Sequence, residues 1–209
     1  MKNIFYIIAV FLVVNLKTYS QEIIPIENEF DTDDDRGYFK DVNGVLDKFT
    51  GEWEFTDATH YFKIKFYKIE YVNYPSWNGN YIFDELRSFM LYKELQGGNW
   101  VTIYNTYPAS YSATDLANQN FNNFTSIRGN TTWHNDNKVT LFYYEPSPTC
   151  SRINEQELIL IYSSSSGSPQ LNWQLGSING SSIVEPCSLE TGNPIYQYKI
   201  PNQMTLNKL

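Results

Sequence analysis

From His60 to Tyr67 the chain alternates without a break. His60, Phe62, Ile64 and Phe66 fall on one parity, and Tyr61, Lys63, Lys65 and Tyr67 on the other. Successive side chains of a β-strand point to opposite faces, so a period of two describes a strand with one buried face and one wet face. A helix would scatter the same apolar residues around its circumference. The pattern returns in Leu171, Trp173 and Leu175, which alternate with Asn172 and Gln174. Tyr81–Leu95, Trp100–Tyr104, Val139–Glu145 and Glu157–Ser163 are further strand-like runs. Phe121–Ile127 and Asn130–Trp133 are weaker ones, and Ile195–Lys199 and Met204–Lys208 are short closing ones.

Turn chemistry separates these runs. Asn78-Gly79 is a strong hairpin dipeptide, Gly97-Gly98 turns the chain before Trp100, His134 to Asn137 forms a polar turn, and Pro146-Ser147-Pro148 ends a strand. Two places depart from the pattern. Val42, Val45, Leu46 and Phe49 have helical spacing, which predicts a short helix over 41–50 capped by Asp41 and ended by Gly51. A further helical turn is expected at Ala113 to Asn118. Composition agrees with strands. Aromatic residues make up 17% of the chain, and only four alanines follow residue 20, which disfavours a helical bundle. Strands at short spacing joined by turns imply an antiparallel sheet of about nine or ten strands.

Lys2 followed by the apolar run Ile4 to Leu16, with Thr18-Tyr19-Ser20 before Gln21, reads as an export signal. The expected organisation is a signal peptide at 1–20, an acidic flexible lead-in at 21–37 and one domain at 38–209. The chain carries a net charge of −8, which opposes binding to phosphate-rich nucleic acid. No later segment suits a transmembrane helix. Export places Cys150 and Cys187, the only cysteines, in an oxidising compartment, and a disulfide between them is expected.

Gly37-Tyr38-Phe39-Lys40-Asp41-Val42-Asn43-Gly44-Val45-Leu46-Asp47-Lys48-Phe49-Thr50-Gly51-Glu52-Trp53 resembles the opening of a family of small exported Bacteroidota proteins that constitute a domain of unknown function. Leu171-Asn172-Trp173 and the closing Ile200 to Leu206 extend the resemblance. It implies a periplasmic, cell-surface or extracellular location and no mechanism. Separately, a helical turn followed by Gly51-x-Trp53 resembles the entry motif of lipocalins, in which the Trp packs at the closed end of a barrel and an Arg from the last strand covers it, a place where this chain offers a lysine instead. Lys199 or Lys208 is the residue available for that place. Together these readings predict an all-β fold: an antiparallel up-and-down, lipocalin-like β-barrel of about eight to ten strands with a short N-terminal helix. Gly51 and Trp53 take structural roles in it.

Candidate chemistry is sparse. The Asp31 to Asp35 cluster lacks the Gly and the bidentate Glu of a calcium loop, and no metal or cofactor is expected. His60 and His134 have no nucleophile motif beside them. Glu52/Glu54 and Glu155/Glu157 are carboxylate pairs on strand faces, the arrangement from which a glycosidase would have to be built. No catalytic residue is assigned. Tyr104, Trp133, Tyr143 and Tyr144 combine aromatic walls with polar tips, as a ligand pocket needs. The expectation is an exported non-catalytic protein that binds a small hydrophobic or amphipathic ligand inside the barrel. The alternative is a surface interaction or carbohydrate-binding module with a filled core, in which outward Trp77, Trp100 or Trp133 stack on sugar rings.

Overall fold

The structure is a computed structural model. It describes residues 21–28, 37–76, 79–107, 127–131, 137–144, 155–164, 167–176 and 199–209. Strands β1 (Glu22–Pro25), β2 (Gly37–Lys40), β3 (Gly51–Thr56), β4 (His60–Ser76), β5 (Gly79–Gln96), β6 (Asn99–Asn105), β7 (Ile127–Thr131), β8 (Lys138–Tyr144), β9 (Glu155–Ser163), β10 (Gln170–Leu175) and β11 (Gln203–Lys208) form one sheet. The protein is all-β, as the alternation predicts.

The N-terminal helix is not formed. Residues 41–50 make turns and one 3₁₀ turn, Asp47–Phe49. The reason lies in Asn43-Gly44. Gly44 sits at φ +67°, a left-handed conformation that ends an α-helix, and Val42 is exposed. Asp41 does cap the segment. Its carboxylate accepts the backbone N–H groups of Val45 (2.7 Å) and Leu46 (3.2 Å).

The sheet is not closed into a barrel. Its path runs β1-β2-β5-β4-β3-β11-β10-β9-β8-β7. A simple barrel gives each strand one neighbour per edge, but β5 is 18 residues long and one of its edges is shared. β2 takes Ile82 and Phe83, β7 reaches only Leu86 and Arg87, and β6 takes Leu91 to Gln96. The β1–β2 and β2–β5 pairings are parallel, a further departure from the antiparallel expectation.

Even parity on β4 and β5 faces the core. Phe62, Ile64, Phe66, Leu86, Met90 and Tyr92 are buried there together with Trp53, Leu141, Tyr143, Leu171, Trp173 and Leu206. Burial of each such side chain contributes about 1.5–3 kcal/mol. On β9 the structure decides which residues turn inward. Leu158 and Leu160 join the core, because they pair with Leu141, Val139 and Trp173. The run Leu158 to Ile161 is apolar on both parities, so only its neighbours fix which face turns inward.

Charged groups tie the N-terminal segment to this sheet. Asp84, on β5, is buried and accepts hydrogen bonds from the Tyr38 hydroxyl, the Asp41 N–H (3.0 Å) and the Tyr71 N–H (3.1 Å). Tyr71 lies where β4 bulges between Ile69 and Val72 and holds φ +60°, an uncommon conformation for a side chain of its size. Lys68 bridges Asp41 and Asp47. Burial pulls its pKa down, but hydrogen bonds to Asp47 and Asp41 leave it raised. Burial and Asp84 push the Tyr38 phenol well above its ordinary range. On the other face of β5, Glu85 pairs with Arg87 and accepts from the Tyr74 hydroxyl, beside a small second cluster of Ile69, Val72 and Phe89.

Candidate functional site

The two ends of the sheet differ. One is sealed. Leu46, Phe49 and Trp53 are buried there, and the Trp53 Nε1–H donates to the Phe49 carbonyl at 2.8 Å. β11 pairs with β3 through Lys208 and Trp53, and Lys208 Nζ stands 5.1 Å from the Trp53 ring centroid. Gly51 holds φ +100°, and a Cβ on it would lie 3.3 Å from Lys208 Cε. The positive φ is what favours glycine at that position. Of the two candidate lysines, then, Lys208 covers Trp53. Lys199 lies instead at the other end, with Nζ 6.0 Å from the Tyr104 ring.

The opposite end, where β5 turns into β6, gathers the polar and aromatic groups suited to a ligand. Gly97 and Gly98 form the turn with φ of +58° and +83°, as the sequence predicts. Beneath it the rings touch in series: Tyr143 to Trp173 (6.1 Å), Trp173 to Phe62 (5.2 Å), Phe62 to Tyr92 (6.4 Å) and Tyr92 to Tyr104 (6.2 Å). His60 lies parallel to Tyr92 at 6.2 Å and pairs across the strands with Glu94. The Tyr92 hydroxyl, with one proton to give, lies within hydrogen-bond distance of two acceptors, Glu94 Oε1 at 3.1 Å and the Lys199 carbonyl at 2.9 Å.

The β3–β4 turn orients His60. Asp57 accepts the N–H groups of Thr59 and His60, both at 2.7 Å, and lies 3.0 Å from His60 Nδ1. The Thr59 N–H first, and then His60, hold the Asp57 carboxyl well below its usual range. The contact to Asp57 through Nδ1 fixes the ring orientation and leaves Nε2 on its far side. No hydrogen bond to Nε2 is formed among the described residues.

Of the predicted ligand residues, Tyr104 and Tyr143 are buried at the two ends of the ring series. Tyr144 is half-buried at the end of β8. Trp133, Trp77 and His134 lie outside the described residues, as do Cys150, Cys187, Asp31 to Asp35, residues 113–118 and residues 1–20. Trp100 is 46% exposed and pairs with exposed Leu95 across the hairpin. Sequence reasoning missed Tyr92 and Glu94. The period of two carries from Met90 through both, and that was the available signal. It also missed Ile200, which is buried in the core and has no periodic neighbour to reveal it.

Among the described residues, no cluster of His, Cys, Asp or Glu is suited to hold a metal, and no helix is long and apolar enough to cross a membrane. No curated protein and no solved structure matches this chain. The profile of a family of unknown function, DUF6705, matches residues 1–209, and the chain belongs to that family.

Proposed function

We propose that this is an exported, non-catalytic, lipocalin-like protein that binds a small hydrophobic or amphipathic molecule at the β5–β6 end. One observation carries the reading. A continuous series of rings runs from Tyr143 to Tyr104, and at Tyr92 it meets the polar groups of His60, Glu94 and the Lys199 backbone. Apolar walls with a few fixed polar groups are what such ligands require. The lipocalin-like part rests on the Gly51, Trp53 and Lys208 arrangement at the sealed end. The periplasm, cell surface or medium of a member of the Bacteroidota is the proposed setting, on the strength of residues 1–20 and the motifs of the opening.

The test is native mass spectrometry of the protein purified from its own host. A mass above that of the polypeptide, released as a small molecule on denaturation, is the expected result. A folded protein that carries only its own mass overturns the reading. That outcome favours the alternative, a surface or carbohydrate-binding module, which draws support from the outward Trp100 and Leu95 on the hairpin.

A further inference from the structure

The two largest fully buried side chains are Trp53 and Trp173, and their indole N–H groups are treated differently. Trp53 Nε1 has the Phe49 carbonyl as its acceptor. Trp173 Nε1 is buried and has no acceptor among the described residues. A buried donor left without a partner is costly and uncommon. Trp173 lies in the middle of the ring series, against Phe62 and Tyr143, and Met204 is its cross-strand neighbour on β11.

Immediately before β11 the chain crosses this end as Lys199-Ile200-Pro201-Asn202. These residues precede the β10–β11 ladder, which starts at Gln203 opposite Gln174. Pro201 has no N–H to give to a ladder. The Lys199 carbonyl lies 2.9 Å from the Tyr92 hydroxyl, the Asn202 carbonyl accepts the Leu175 N–H at 2.7 Å, and Lys199 Nζ stands 6.0 Å from the Tyr104 ring. Ile200 reaches into the core with 1% of its surface exposed. An apolar side chain on a segment outside the β10–β11 ladder therefore joins the same core cluster as an indole N–H that lacks an acceptor among the described residues.

We infer that Lys199–Asn202 is a strap, that Ile200 holds the place of the ligand's apolar body, and that Trp173 Nε1–H donates to the ligand's head. The inference rests on the ligand-binding reading above and gives it a site and a ligand class. Trp173 is surrounded by the apolar core, and an anionic head would be buried there without a counter-charge among the core residues. The ligand is thus an uncharged molecule with an apolar chain and one carbonyl acceptor, a ketone, ester or amide. When the strap lifts, the sheet keeps its ladders and the ligand replaces Ile200.

The test uses the full chain labelled with ¹⁵N, the probes 2-undecanone and undecane, and the indole N–H resonances, with Trp173 assigned from Trp173→Phe. 2-Undecanone is expected to shift the Trp173 indole resonance strongly. Ile200→Ala, which removes the competing side chain, is expected to tighten binding by about tenfold, as when a closed state is depopulated. Ile200→Val keeps most of the core packing and is expected to give a smaller change of the same sign. Trp173→Phe is expected to weaken 2-undecanone by about tenfold, the worth of one hydrogen bond, and to leave undecane unchanged. If 2-undecanone binds but both Ile200 variants and Trp173→Phe bind it as the wild type does, the strap and the anchor are wrong and ligand binding stands. If neither probe perturbs the folded wild type or Ile200→Val, the inference is overturned, and a bare native mass then removes the ligand-binding reading as well.

Discussion

Single residues hold the N-terminal segment onto the sheet, and Asp84 is the clearest case. Its carboxylate serves three donors from three parts of the chain: the Tyr38 hydroxyl, the Asp41 N–H and the Tyr71 N–H. The replacement Asp84→Ala leaves all three without this acceptor, the Tyr38 hydroxyl and the Asp41 N–H in a buried place. A loss of about 3 kcal/mol or more is expected, read as a lower urea midpoint. Asp84→Asn retains one acceptor oxygen and is expected to lose less. If the alanine variant unfolds at the wild-type midpoint, the carboxylate does not bind the segment as described. Asp41 shows how far a residue's role can be read without a fold. Its capping function follows from the residues after it, whereas its bridge to Lys68, 27 positions away, depends on β4 arriving alongside.

At the level of elements, the β3–β4 hairpin couples local turn chemistry to acid stability. Its turn stabilises the charged form of Asp57, first through the Thr59 N–H and then through His60. On the strand face, Lys63 and then Lys65 lower the pKa of Glu52. A carboxyl whose pKa is lowered by folding gives stability that is complete above its unfolded value and disappears as pH falls through the folded one. The unfolded Asp value is 3.8, so the loss begins near there and continues below it. Asp57→Asn removes the Asp57 share. Its melting temperature is expected to fall less steeply than that of the wild type between about pH 5 and pH 2. Equal slopes for the two proteins count against the assignment. The opposite sign holds for Tyr61, on the same hairpin. Burial, and then its hydrogen bond to Glu54, push its phenol up to about 12, so that contribution is lost only as pH rises from the ordinary 10.0 towards that value. The hairpin was legible because period two and turn chemistry agree over its whole length. The helix expected at 41–50 was not, because one left-handed glycine outweighs a helical spacing of apolar residues.

Across the whole molecule, the topology brings distant connections to one end. β8 finishes at Tyr144 and β9 starts at Glu155, while β10 finishes at Leu175 and β11 starts at Gln203. The β8–β9 and β10–β11 links, which contain Cys150 and Cys187, therefore both leave from the β5–β6 end, as Leu175↔Leu158 and Tyr143↔Gln156 fix by register. That shared origin supports the proposed disulfide. Denatured, unreduced protein is expected to resist thiol alkylation and to take up two labels only after reduction. Two labels without reduction remove the bond from the proposal.

The sequence by itself determined the class of structure, the position of most strands, the β5–β6 turn and the inward parity of β4 and β10. Those features rest on contacts within a few residues: alternation, turn dipeptides and the exclusion of polar side chains from a buried face. Only the tertiary structure decided which face of β9 turns inward, how β2, β6 and β7 divide one edge of β5, and that Lys208 and not Lys199 covers Trp53. It also decided that Tyr104 and Tyr143 stand at the two ends of one series of rings, in the same core as Ile200. Each of these is set by pairing between strands far apart in the chain, and the register of such a pairing is fixed by its partner.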